Sequence, residues 1–121
     1  MQTPLEVDFR NIPPSAALSA AIRKRAAKLE TFCDSIVGCH VTIESPHHHH
    51  HQGVRYAVHI RLTVPGKVIS VSREPDTAAH EDAYLTLHDA FDAAQRQLQD
   101  YVRVRRGDVK EHATQNGRPV R

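Results

Sequence analysis

Leu5, Val7 and Phe9 alternate with Glu6, Asp8 and Arg10, the period-2 pattern of a half-buried strand. Asn11 to Pro14 reads as a turn, and a helix is expected from Pro14-Ser15 to about Cys33. Its apolar stripe is Leu18, Ala21, Ile22, Ala26, Leu29, Phe32 and Ile36. Arg25 interrupts that stripe, so its stem is expected to lie along the core with the guanidinium at the edge. Val37, Cys39, Val41 and Ile43 then alternate with Gly38, His40, Thr42 and Glu44, a second strand. The clearest alternation is Val54, Tyr56, Val58, Ile60, Leu62 and Val64, a third strand that ends at a Pro65-Gly66 turn. Lys67 to Arg73 makes a fourth, with Ile69 and Val71 inward.

A second helix is expected to start near Glu81 or Asp82, where acidic residues favour a first turn, with the stripe Tyr84, Leu87, Phe91, Ala94, Leu98, Tyr101 and Val102. Charge replaces the stripe after Val104, and Gly107 is the expected stop. The order β-α-β-β-β-α gives an α+β fold, a four-stranded sheet with two helices on one face. The β-α-β start calls for a right-handed crossover with the first two strands parallel. The last five elements share their order with double-stranded-RNA-binding domains, a likeness of fold only. Residues 1–107 are expected to form the domain, and 108–121 a basic, disordered tail.

Composition fits a globular chain of 121 residues, 40% hydrophobic and 25% charged. The net charge is only +2, but the cations are unevenly placed: Arg23, Lys24, Arg25 and Lys28 form one run, and Arg103, Arg105, Arg106, Lys110, Arg118 and Arg121 another. Such patches favour a polyanionic partner. Lys24 and Lys28 stand one turn apart on one flank of the first helix, with Arg23 on the other. Arg96 and Arg103 share the outer face of the second helix, where Asp92–Arg96 and Arg96–Asp100 are i,i+4 pairs. Helices side by side would present these charges together, a surface suited to folded RNA read by shape and backbone.

Other chemistry is sparse. No phosphate loop, nucleophile elbow or metalloprotease motif is present, and Cys33 with His40 lacks an orienting group, so no enzymatic activity, small-molecule substrate or cofactor is expected. Cys33 and Cys39 do not make a disulfide framework and read as small buried hydrophobes. Met1 to Arg10 builds no signal peptide and no window suits a membrane span, so a cytoplasmic protein without membrane contact is expected. His47 to His51 read first as a solvated loop; a metal site there is the competing reading, because imidazoles bind zinc, nickel and copper.

Ala27-Lys28-Leu29-Glu30 late in the first helix, His80-Glu81-Asp82 and Tyr84 at the start of the second, and Arg96-Gln97-Leu98 within it occur in the correct elements and order. Over residues 4–106 the chain resembles the bacterial ribosome hibernation factors of the short type: the hibernation-promoting factor and ribosome-associated inhibitor, or sigma-54 modulation, family. The resemblance implies a translation inhibitor that binds the ribosome and its small-subunit rRNA in the decoding region, blocks tRNA and mRNA by occupancy, and is a monomer off the ribosome. The candidate RNA contacts are Arg23, Lys24, Lys28, His80, Arg96, Arg103, Arg105, Arg106 and Lys110. Ala93 stands where such factors usually carry Lys, on what is expected to be the outer helix face. Alternatives are a stand-alone structured-RNA-binding protein and a metal-binding protein built on His47 to His51.

Overall fold

In the computed structural model, described over residues 1–45, 48–49, 53–54, 56–74 and 83–114, side chains are described as far as residue 107, except at 48–49 and 53–54. The elements are β1 (Glu6–Arg10), α1 (Ala16–Glu30), β2 (Gly38–Glu44), β3 (His48–His49), β4 (Gly53–Val54), β5 (Ala57–Val64), β6 (Lys67–Arg73) and α2 (Ala83–Thr114). The main sheet has four strands in the order β1-β2-β5-β6. As the crossover argument requires, β1 and β2 are parallel, with Val7 opposite Val41; the other pairings are antiparallel. The α+β fold read from the sequence, β-α-β-β-β-α, is the fold observed. A separate two-stranded pairing, β3 with β4, sits between β2 and β5 in sequence. The single strand expected from Val54 is therefore two, with Tyr56 outside both.

The stripe residues Ile22, Leu29, Leu87, Phe91 and Leu98 are fully buried against Val41, Ile60, Leu62 and Ile69. At ~25 cal/mol per Å² of apolar surface, each such side chain contributes roughly 1.5–3 kcal/mol of burial free energy, so the stripes place both helices on one sheet face. Ser15 starts α1 by accepting from the Leu18 amide at 3.1 Å, which satisfies one orphan donor of the first turn. The helix ends at Glu30, short of the expected Cys33, because the Thr31 amide and hydroxyl both donate to the Lys28 carbonyl and Phe32 N–H closes on Leu29. Cys33 and Ile36 remain buried although they are no longer helical, since the connecting segment itself covers the core.

Three expectations on α2 are corrected. Tyr84 is 41% exposed, and Ala83 and Thr86 take the buried positions of that turn. Ala93 is buried at 3% exposure, so it does not belong to the outer face. Gly107 does not stop the helix, which continues to Thr114. A glycine inside a helix costs only ~1 kcal/mol, too little to break it unaided. With a rise of ~1.5 Å per residue, α2 is about 48 Å long, against about 27 Å for β5. The Tyr101 hydroxyl donates to the carbonyl of Pro65, in the β5–β6 turn, at 2.7 Å. The turns of α2 after Arg105 therefore run past the end of the sheet and include Lys110, a residue expected in the tail.

Candidate nucleic-acid interface

Arg25 fixes how the two helices meet. From α1 its Nη2 donates to Asp92 Oδ1 at 2.8 Å and its Nη1 lies 2.7 Å from His88 Nδ1, both on α2. The guanidinium also stands over the Phe91 ring, 5.5 Å from its centroid. Thr31 to Ser35, just after α1, line a recess with Tyr101, Val102, Arg105 and Arg106. Later residues of α1 thus meet later residues of α2, and the helices run in the same direction. The stem of Arg25 lies along the core and its head at the helix seam, as its place in the stripe suggested.

That arrangement brings some of the candidate cations together. Lys28 lies about 4.5 Å along α1 from Arg25 and Arg96 about 6 Å along α2 from Asp92, so both stand at one level of the seam. Lys24, Lys28 and Arg96 are exposed, and their side chains have no hydrogen-bonding or ionic partner among the described residues. The intrahelical pairs expected for Arg96 are not made. Asp92 turns to Arg25, and Asp100 pairs with Arg103 at 2.8 Å. That second pair is highly exposed, so it holds Arg103 with no more than ~1 kcal/mol and leaves it available to a phosphate. Arg106 is exposed on the flank of α2 towards α1.

Other candidates fall elsewhere. Arg23 lines a recess with Met1 to Leu5, Ala26 and Glu30, on the far flank of α1 from the seam. Arg105 folds back over Tyr101, with its guanidinium 5.5 Å from the ring centroid and Nη1 donating to the Tyr101 hydroxyl and the Pro65 carbonyl. It is tied to the sheet end, although still partly open to solvent. Lys110 is on α2, but its side chain lies outside the described residues, as does all of His80. The His47 to His51 run falls mostly outside them too; only the backbone of His48 and His49, in β3, is described. Among the described residues no group of three or more potential ligands is placed to hold a metal ion.

Cys33 and His40 do not meet. Cys33 is buried beside Ser35, whereas His40 is on the open face of the sheet with its Nε2 2.7 Å from Asp8 Oδ2. Burial pushes the Cys39 thiol up to about 12, which keeps it protonated and unreactive. The open face carries a polar ladder that sequence reading did not single out: His59 lies 2.8 Å from Ser72 and 3.5 Å from Glu44, beside exposed Arg61. There His40 and His59 each stand beside a carboxylate, Asp8 and Glu44, unlike the side chains of Lys24, Lys28 and Arg96. The seam contact of Arg25 with Asp92 was also missed; the signal for it was an arginine inside an apolar stripe.

A family model described as "Sigma 54 modulation protein / S30EA ribosomal protein" matches residues 5–106. The chain belongs to this family. It is the family whose motifs Ala27 to Glu30 and Arg96 to Leu98 resemble, and the match spans every element from β1 through the seam portion of α2. Two solved structures share this chain's fold at 18% identity. One is the Thermus thermophilus Protein Y N-terminal domain, with a TM-score of 0.62 over 79% of this chain and 94% of that one. The other is a ribosomal subunit interface protein from Coxiella burnetii, with a TM-score of 0.64 over 80% and 94%. Comparison with curated proteins finds no match. Among the described residues no helix is long and apolar enough to cross a membrane.

Proposed function

We propose that this S30EA-family protein is a cytoplasmic, ribosome-associated translation inhibitor. It binds the small subunit in the decoding region and blocks tRNA and mRNA by occupying their sites. The observation that carries the reading is the helix seam, where exposed Lys24, Lys28 and Arg96 stand without anionic partners in a chain of this family. Arg103 and Arg106 continue the cationic strip along α2, towards the end that overshoots the sheet. Cations on rigid helices suit the phosphates of folded RNA, because their placement costs little ordering entropy on binding. Steric occupancy needs no bond-making and no cofactor. The partner is small-subunit rRNA, and the protein acts as a monomer.

Sedimentation through a sucrose gradient tests this reading. Purified protein should migrate with small subunits and inhibit in-vitro translation, and initiator tRNA should compete with it. Protein found only at the top of the gradient, in low and moderate salt alike, would remove the ribosome from the reading.

A further inference from the structure

Asp92 and Arg96 have the i,i+4 spacing at which an acidic residue captures a basic one on the same helix. Such a pair would lie across the strip that the proposed function assigns to RNA, and it would cancel Arg96. The pair is not made, because Asp92 is held from the other helix by Arg25. We infer that Arg25 is a positioning residue for the RNA-facing seam: by engaging Asp92 it keeps Arg96 free for phosphate, without touching RNA itself.

The contacts of Arg25 fit this role better than a direct contact. Its side chain is only 12% exposed, whereas that of Asp92 is 57% exposed. The guanidinium meets His88, Phe91 and Asp92, all on α2, so both of its terminal nitrogens and its face are engaged between the helices. Its Nε is buried and has no hydrogen-bond partner, which shows how far inside the seam the head has been drawn. A phosphate approaching from solvent would have to break these contacts to reach it. Lys24, Lys28 and Arg96 need no such rearrangement. Lysine would be a poor replacement, because a single ammonium does not supply the planar fork that reaches His88 and Asp92 together.

This inference rests on the ribosome-binding reading, and its test separates the two. Affinity for purified small subunits is measured across a potassium series for wild type, Arg25→Met, Asp92→Asn and the double variant. Methionine keeps an unbranched apolar stem against Phe91, and thermal melts report whether each protein is folded. Arg25→Met should weaken binding several-fold and lower the salt slope by about 0.9, the loss of one phosphate contact, because Asp92 now captures Arg96. Adding Asp92→Asn should restore both affinity and slope, since no carboxylate remains to capture Arg96. A direct RNA contact by Arg25 predicts the opposite: the double variant stays as weak as Arg25→Met, which overturns the inference. Failure of the wild type to bind subunits would defeat the functional reading instead. In that event the Arg96 Nε–H resonance decides. It should shift in Arg25→Met and return in the double variant, and an unmoved resonance in Arg25→Met overturns the positioning role.

Discussion

Replacing Lys24 and Lys28 together by alanine gives the sharpest test of the seam. Both are exposed and unpartnered, and both lie off the stripe of Leu18, Ile22, Ala26 and Leu29 that holds α1 to the sheet. The fold should therefore survive, with a melting temperature close to wild type. Ribosome affinity should not. Three seam cations that each neutralise one phosphate give a slope of log affinity on log salt of about −2.7, and the single contact left by the double variant about −0.9. Between about 50 and 200 mM potassium at fixed magnesium, wild type should then lose roughly 40-fold in affinity and the variant only about 3- to 4-fold. Contacts from Arg103 or Arg106 add equally to both slopes, so the difference of about 1.8 persists. Fluorescence anisotropy of labelled protein against small subunits reads both slopes. A variant that binds and inhibits like wild type, with the same slope, would refute the assignment of RNA binding to this face and turn attention to the open side of the sheet.

Other outcomes follow from the core and its anchors. Leu98 is fully buried between α2 and the sheet, so Leu98→Ala should cost about 2–5 kcal/mol in urea unfolding; a midpoint unchanged from wild type would contradict the stripe. Tyr101→Phe removes the hydroxyl that donates to Pro65 and receives Arg105, and should cost about 1 kcal/mol, measurable in the same assay. The Cys39 thiol is raised to about 12 by burial, so the folded state holds its proton more tightly than the unfolded chain does. Its contribution to stability is complete below the ordinary thiol value of 9.0 and is lost as pH rises from there through about 12. Iodoacetamide at pH 8 should accordingly label Cys39 only after denaturation, and rapid labelling of the native protein would show that the site is open.

Sequence periodicity determined the number of main-sheet strands, both helices and their order, because side-chain alternation is a local property of backbone geometry. Val58, Ile60, Leu62 and Val64 announce a strand wherever they are placed, and Leu87, Phe91 and Leu98 announce one face of a helix. The seam motifs around Lys28 and Arg96 were legible for the same reason: each lies within one element. Tertiary structure decided what depends on neighbours distant in the chain. Asp92 had a partner of opposite charge one turn away in Arg96, yet it pairs with Arg25, which the parallel run of the helices brings beside it. Arg105, apparently one more cation in a basic run, is drawn onto Tyr101 and the β5–β6 turn by the docking of α2. Ala93 and Tyr84 exchanged their expected roles because the docked phase of the helix, not its hydrophobicity alone, sets which residues meet the sheet. Local spacing names the charges that stand near each other along a helix. Only packing between helices decides which of them remain free to meet a phosphate.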